Sequence, residues 1–589
     1  MKRTIFYSSL LFISFSLTAQ EGNIKWWNPA DNDFKVIEGQ AWPNEIAAFY
    51  DRLPATAEAV VRQPVWNLSR HSAGLIIRFR SNASEIRVRY KLKGNIAMPH
   101  MPATGVSGLD LYSKNSDGQW LWNKGAFSFG DTTTYNFRNI RPNDKYHKKG
   151  KEYQLYLPLY NSVEWLEIGT SEESIFEPLP LRQEKPIVVY GTSIAQGACA
   201  SRPGMAWTSI LQRKLDRPMV NFAFSGNGRL ETEMIDYLTE IDAKLYILDC
   251  LPNLGPREGR TLEDVYARII SSVKALKLAR PNVPILLTEH GGYSDGTTNM
   301  DRQEVYTSLN DIMRKAFIQL QSEGITDLHV LPINEIGLTI DSFVDGTHPS
   351  DLGMIEYATA YENSVRNILN EPLGGFSTTT PVTQSREPGN YNWEKRHQDL
   401  LVLNKNSQNK IAFFGNSIIH YWAGMPEGPI KRGTDSWDEN FKEMKVQNFG
   451  FGWDRIENAL WRVYHDELDD FKGNQVVLML GTNNLEHNSD IEIIQGLRHL
   501  VEVIQTKKPD ASILLLGILP RRAQEERITN LNKMLSQIEN VSGATYADVG
   551  MIFLKSNGQI DESLFSDGLH PNNSGYQVLG KEIRKHLGK

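Results

Sequence analysis

Two periodicities divide the chain. Over residues 26–180 apolar and polar positions alternate: in EIRVRYKLKG, Ile86, Val88, Tyr90 and Leu92 alternate with Arg87, Arg89, Lys91 and Lys93, which sends apolar and basic side chains to opposite faces of a strand. GLIIRFRS, GLDLYSK, QWLWNKGAF and EYQLYLPLY read the same way, with turn chemistry such as NSDG at 115–118 between them. An antiparallel β-sandwich over 26–182 is predicted. After Lys185 short apolar runs alternate with helical periodicity. PIVVYG, YILDC and VPILLTEH predict buried strands, while Leu262, Val265, Ile269, Val273 and Leu276 recur at three- and four-residue steps behind Thr261, an N-cap with Asp264 in the capping-box position. This alternation predicts a parallel sheet with helices on both faces over 185–372.

The segment GGFSTTTPVTQSREPGN, residues 374–390, has no periodicity and is rich in Thr, Ser, Pro and Gly, so an exposed linker is expected. Beyond it, over 391–589, the strand-helix alternation restarts with KIAFFG, QVVLMLG and SILLLGILP and a helix around Ile493, Leu497, Leu500, Val501 and Ile504. Several domains suit a chain of 589 residues at roughly 150 residues each. Hydrophobic residues at 40% and charged residues at 23% are those of a folded chain.

The opening residues 1–19 place Lys2 and Arg3 before an apolar run from Ile5 to Leu17 and small residues near Ala19, the layout of a cleavable secretory signal. The run is short of the ~20 apolar residues that cross a bilayer, and no cysteine follows it to carry a lipid. A secreted or periplasmic protein is expected. Lys+Arg 63 against Asp+Glu 70 gives a net charge of -7, which argues against nucleic-acid binding or a basic membrane surface and suits a small neutral or glycan partner. Two cysteines make neither a disulfide framework nor a thiolate zinc site.

Polar residues show that the last third repeats the middle. VVYGTSI and AFFGNSI place Ser193 and Ser417 directly after buried strands, 224 positions apart. NFAFSGNG and NFGFGWD pair Gly226 with Gly452 at an offset of 226, and DCLPN and LGTN pair Asn253 with Asn483 at 230. DGTHP and DGLHP pair Asp345 with Asp567 and His348 with His570, each at 222. Four blocks in one order at nearly constant spacing indicate a duplicated domain.

Each block has a reason in acyl transfer. A serine hydroxyl needs a base to take its proton, and histidine has the matching pKa. An aspartate three residues earlier can hold the imidazole tautomer and stabilise the imidazolium. The oxyanion of the tetrahedral intermediate needs donors, here the serine and glycine backbone N–H groups and the asparagine amide. In a doubly wound sheet all four blocks converge outside the carboxyl ends of the strands. That convergence could also bring Cys199 and Cys250 inside the ~7 Å Cα limit for a disulfide; two free buried thiols are the alternative. His290 reads as a structural loop histidine, Asp110 as the brace of a turn, and Trp26, Trp27, Trp120, Trp122 and Trp453 as aromatics to be packed before they are sugar platforms.

The blocks resemble those of the SGNH (GDSL-like) hydrolase superfamily. The second copy, with NFGFGWDRIENALWRVYHDEL, VVLMLGTNNL, LLLGILPRR and DGLHPNNSGY, is similar to the catalytic subunits of platelet-activating-factor acetylhydrolase. The middle copy, with GTSIAQGACASRPGMAW, resembles a secreted bacterial branch, and the sandwich resembles the accessory domain named for its GxDLY motif, here Gly108 to Tyr112. The resemblance implies two flavodoxin-like domains and ester hydrolysis without metal or organic cofactor. It implies Ser193, Gly226, Asn253, Asp345 and His348 in one site and Ser417, Gly452, Asn483, Asp567 and His570 in the other. The usual GDS is replaced by GTS and GNS, and GxND by DCLPN in the first copy. The expected protein is a secreted serine esterase acting on O-acyl, chiefly O-acetyl, groups of carbohydrates. A lipid or phospholipid esterase and an inert glycan-binding scaffold are the rivals; complete sets of residues in both copies speak against the second.

Overall fold

The computed structural model describes residues 23–141, 146–256, 260–538 and 543–587; the expected secretory signal lies outside them. The period-two region forms two antiparallel sheets. One has the order β1 (Ile24–Trp27), β10 (Val163–Ser171), β4 (Ile86–Leu92), β8 (Thr133–Phe137), β7 (Gly125–Ser128). The other runs β11 (Phe176–Pro178), β3 (Ile76–Ser81), β9 (Lys151–Tyr156), β5 (Asp110–Lys114), β6 (Trp120–Asn123), with β2 (Ile37–Glu38) added to β3. Ile86, Val88 and Tyr90 are buried between the sheets with Ile77, Phe79, Leu111 and Leu155, as the alternation requires.

Two five-stranded parallel sheets follow. β12 (Ile187–Gly191), β13 (Met219–Ala223), β14 (Leu245–Asp249), β15 (Ile285–Thr288) and β16 (Leu328–Leu331) lie in the order 13-12-14-15-16. β17 (Ile411–Gly415), β18 (Val446–Gly450), β19 (Gln475–Met479), β20 (Ser512–Leu516) and β21 (Thr545–Ala547) repeat it as 18-17-19-20-21. This is the flavodoxin-like order, with the first strand of each domain at the switch point. Alternate residues of each strand feed separate cores: Val188 and Tyr190 pack with Val265, Ile269 and Val273 on one face, Ile187 and Val189 with Leu211, Tyr357 and Val365 on the other. Thr261 caps the helix Leu262–Ala279, and Asp264 completes the capping box. Among the described residues no helix is long and apolar enough to cross a membrane.

Three features depart from the sequence reading. First, part of the expected sandwich is helical: Ala55–Ala59 and Gln63–Ser69 are helices, and Leu53, Ala57, Val65 and Trp66 join the core of the first parallel sheet. Arg52 explains their position. Its guanidinium is buried and donates to the carbonyls of Asn221 and Ala223 at 2.9 Å each, along the outer side of edge strand β13, whose backbone acceptors would otherwise be unpaired. In the second domain Arg396 does the same for Gly450 at 2.8 Å and Asn448 at 3.3 Å on edge strand β18. Burial pushes both guanidinium pKa values down, Arg52 to about 9 and Arg396 to about 10.

Second, the segment 374–390 is not an exposed spacer. Thr378, Thr379, Thr383, Gln384 and Arg386 are buried, and the side chains of Thr378, Gln384 and Arg386 donate to the carbonyls of Glu492, Gly452 and Trp453 in the second domain. Third, Asp110 does not brace a turn within the sandwich. Its carboxylate accepts from Arg202 Nη1 at 2.8 Å, Gly204 N at 2.7 Å and Trp122 Nε1 at 2.9 Å, and Tyr112 receives Arg202 as well at 2.8 Å. The DLY signature thus clamps the sandwich to the loop that follows Ser193. The two parallel-sheet domains meet through Arg217, which is buried and reaches Asp466 at 2.9 Å and the Tyr464 carbonyl at 2.6 Å.

Replacing Arg52 by Met should leave the β13 carbonyls without donors. At about 1–3 kcal/mol for each buried unsatisfied group, the first domain should lose at least about 2 kcal/mol, read as a fall of several degrees in its thermal transition. Asp249 gives a pH test. It ends β14 at 2% exposure, and burial pushes its carboxyl up to about 7 against a hydrogen bond from Tyr361. A raised folded-state value means stability present at pH 4 is lost as the pH rises toward 7. Asp249→Asn should remove that slope and raise the melting temperature at pH 8; an unchanged slope in calorimetry would refute the assignment.

Candidate active sites

Each candidate nucleophile opens a one-turn helix directly after the first strand of its sheet: Ser193–Gln196 after β12 and Ser417–His420 after β17. The residue between glycine and serine is the N-cap. Thr192 Oγ1 accepts from Ile194 N at 3.4 Å and Asn416 Oδ1 from Ile418 N at 2.9 Å, so GTS and GNS supply the capping oxygen that an aspartate would supply.

The DxxH blocks precede the last helix of each domain and fold identically. Asp345 Oδ1 accepts the backbone N–H of Thr347 at 3.0 Å and of His348 at 2.8 Å, leaving Oδ2 for His348 Nδ1 at 2.8 Å. His348 Nε2 lies 2.8 Å from Ser193 Oγ. Asp567 Oδ1 takes Leu569 N at 3.0 Å and His570 N at 2.8 Å, its Oδ2 faces His570 Nδ1 at 2.8 Å, and His570 Nε2 faces Ser417 Oγ at 2.8 Å. Burial alone would raise the Asp345 carboxyl, but the imidazole and two backbone donors hold it down at about 2; Asp567 is lowered by the same groups. Both aspartates therefore stay anionic beside their imidazoles.

Strand register corrects the glycine pairing. Gly191 pairs with Ala223 and Gly415 with Gly450, which matches Ser225 to Gly452 and Gly226 to Trp453. The hydrogen bonds agree. Ser225 N donates to Gln196 Oε1 at 2.9 Å, and Gly452 N to His420 Nδ1 at 3.0 Å, so both N–H groups are already committed. Burial drives the His420 pKa down to about 2, which keeps Nδ1 an acceptor. The next residues, Gly226 at φ +68° and Trp453 at φ +64°, share a left-handed turn, and the N–H groups that follow them close it, Asn227 N on the Phe224 carbonyl at 2.8 Å and Asp454 N on the Phe451 carbonyl at 3.2 Å. The Gly452 N–H is thus taken, and Trp453 holds the place in the second copy that Gly226 holds in the first. Asn221 and Asn448 occupy equivalent positions, donating to the carbonyls of Ala195 and Ile419 at 2.8 Å each, and fix the same register.

The asparagines divide differently in the two copies. Asn253 Oδ1 accepts from Gly228 N at 3.1 Å. In the second copy buried Asn484 takes Ile456 N at 3.1 Å, while Asn483 donates to the Asp454 carbonyl at 2.9 Å and borders the cleft. The bracing of the glycine loop thus falls to one asparagine in the first domain and to two adjacent ones in the second.

The expected cysteine pairing is not formed. Cys199 and Cys250 are both free and buried, and they sit in the two cores on opposite faces of the first parallel sheet. Convergence of Ser193 and Asn253 at the strand ends does not carry over to neighbours that point to opposite faces. Burial raises both thiols, Cys199 to about 12. His290 is buried, its Nδ1 accepting from Gly292 N at 3.0 Å, in keeping with a structural histidine.

Other segments complete the sites, and no local motif marked them. His100, from a sandwich loop, stacks on His348 with ring centroids 5.7 Å apart. The second site opens into a cleft of about 560 Å³ bordered by Ser417, His570, Asn483, Trp453, Arg521 and Glu387. Glu387 belongs to the segment read as a linker, and it accepts from Tyr421 OH at 2.5 Å. From the same segment Gln384 donates to the Gly452 carbonyl at 2.9 Å and Arg386 to the Trp453 carbonyl at 3.2 Å.

Comparison with known proteins agrees. Residues 24–176 match the family model described as the N-terminus of Esterase_SGNH_hydro-type, and residues 184–366 and 413–578 each match a model of the GDSL-like Lipase/Acylhydrolase family. A solved protein of Bacteroides ovatus ATCC 8483, described as a GDSL-like lipase, is 30% identical with a TM-score of 0.54, covering 59% of this chain and 98% of its own. Platelet-activating factor acetylhydrolase IB subunit alpha2 of Rattus norvegicus is 28% identical over 202 residues, 33% of this chain and 84% of the relative. Subunit alpha1 of Homo sapiens is 25% identical over 216 residues, 36% of this chain and 88% of the relative. The chain belongs to the GDSL-like lipase/acylhydrolase family and is a carboxylic ester hydrolase.

The register makes a testable distinction between two adjacent residues. Trp453→Gly should keep the backbone donor and relieve a left-handed residue that costs about 1–2 kcal/mol, so the second site should hydrolyse p-nitrophenyl acetate within a few-fold of the parent rate without a lower melting temperature. A Cβ at Gly452 would collide with Glu387 Oε2, so Gly452→Ala should lower turnover by tenfold or more in a chain whose first site is silenced by Ser193→Ala.

Proposed function

We propose that both domains are working serine esterases that remove O-acetyl groups from carbohydrates outside the cytoplasm. The observation that carries the reading is the Asp-His-Ser relay, set twice with each link at 2.8 Å. His348 or His570 takes the serine proton as Oγ attacks the ester carbonyl, and Asp345 or Asp567 stabilises the imidazolium. The oxyanion receives the serine N–H, the N–H of Gly226 or Trp453, and the side-chain amide of Asn253 or Asn483. Collapse releases the alcohol and leaves an acetyl-serine, which water activated by the same histidine hydrolyses to acetate.

The cleft supports a small acyl group on a hydroxyl-rich alcohol. Its walls carry Glu387, Glu486, His487, Arg521 and Asn483 beside Tyr421, Leu569 and one exposed indole, Trp453, a set that offers hydrogen bonds and a stacking face. The relatives' name favours acetyl as the acyl group, and it also supports a second reading, an acetylated phospholipid. Acetate release from xylan, pectin, mannan and sialylated mucin, set against acetylated phospholipid vesicles, separates the two.

Each serine should act alone, since each relay is complete within its own domain. Ser193→Ala and Ser417→Ala should each lose a different part of the substrate profile, and the double variant should be inactive on every ester. A folded Ser193→Ala chain with no turnover at all would disprove two independent sites. Asn483→Ala, measured in the Ser193→Ala background, should lower kcat by roughly a hundredfold or more with a smaller change in KM; unchanged kcat would remove Asn483 from the oxyanion hole.

A further inference from the structure

The first site differs from the second in what surrounds its histidine. His100, Cys199, Asp345 and His348 each present one ligand atom, and all four atoms lie within 4.8 Å of one another. Zinc bonded at its usual 2.0–2.3 Å places tetrahedral ligands about 3.3–3.8 Å apart, so shifts on the order of an ångström close the set. The means to shift are present: Asp345 is exposed and His100 is half-buried on a sandwich loop, while Cys199 is the buried fixed point. Two imidazoles, a thiol and a carboxylate are a borderline-soft donor set suited to zinc and unsuited to magnesium or calcium.

The second site has no counterpart. Six residues after Ser417 stands Ala423 where the first copy has Cys199, and the ring near His570 is that of Tyr421, 6.0 Å away. Among the described residues no other group of this kind occurs.

We propose that the first active site carries a zinc-type divalent-cation site made by His100, Cys199, Asp345 and His348, and that an ion bound there silences Ser193 while Ser417 stays active. On binding, the Cys199 thiol releases its proton to solvent and a cation–thiolate bond forms; no electron transfer is involved. His348 gives up either the Nδ1 proton and its bond to Asp345 or the Nε2 lone pair that accepts the serine proton. Either loss ends its work as a base. Because His100 comes from the sandwich, the accessory domain would thereby govern one of the two esterases.

The silencing rests on Ser193 being a nucleophile; the cation site does not. Zinc chloride should lower p-nitrophenyl acetate turnover of the Ser417→Ala chain at least tenfold at concentrations that leave the Ser193→Ala chain within twofold, and EDTA should restore it. Cobalt chloride should give a thiolate-to-cobalt absorption band in the full wild-type chain, retained in Cys250→Ser and lost in Cys199→Ser. His100→Ala should weaken cobalt binding at least about tenfold, since even outer-shell losses cost that much. Absence of the band in the folded wild-type chain overturns the site. A band with no loss of activity, or equal inhibition of both serines, overturns the silencing. A Ser417→Ala chain inactive before zinc is added would instead count against the esterase reading, with the cobalt band still deciding the site.

Discussion

One hydrogen bond, from serine Oγ to histidine Nε2 at 2.8 Å in each domain, joins residues that the chain separates by 155 and 153 positions. Everything else in the domain serves to hold its two ends. The serine end is fixed because a buried parallel strand stops at Gly191 or Gly415 and a capped one-turn helix begins at once. The histidine end is fixed by a short bridge, Phe343 to Pro349 and Phe565 to Pro571, and by an aspartate that uses one oxygen on backbone N–H groups and the other on the imidazole. A rigid strand end and a self-braced turn make the geometry a consequence of the fold, with no flexible loop between them.

That arrangement exposes an edge strand beside the site, and both domains answer with a buried arginine. Arg52 sits over Phe224 at 5.0 Å and Arg396 over Phe451 at 5.2 Å, so the guanidinium covers the edge carbonyls and an aromatic face together. The first comes from the N-terminal region and the second from the helix Trp393–Asn406. Two unrelated segments have thus converged on one physical requirement: polar backbone at a covered sheet edge must find donors. The same logic explains why Gln384 and Arg386 of the stretch 374–390 are buried, since they satisfy the carbonyls of the loop that carries Trp453.

The two sites share a relay and differ in everything around it. In the first, His100 and Cys199 lie beside the base, and one asparagine braces the glycine loop. In the second, an indole occupies a left-handed position where the first has glycine, and Glu387 and Tyr421 form a wall. Differences of this kind act on which alcohol binds while leaving the proton transfers alone.

Sequence alone marked the parallel sheets and the duplicated blocks, and it named as candidates the serines, histidines and aspartates that the fold links at 2.8 Å, because strand periodicity and short polar blocks are local signals. It also identified Gly226 and Asn483 as candidates. Only tertiary structure decided the rest. The register of β13 and β18 matched Gly226 to Trp453 instead of Gly452, a one-residue step, and showed the Gly452 N–H committed to His420. The faces of the first sheet separated Cys199 from Cys250. The buried arginines, the packed segment 374–390 and the clamp at Asp110 were illegible because each is a polar residue whose partner lies far along the chain, and hydrogen bonds between distant segments leave no periodic trace in sequence.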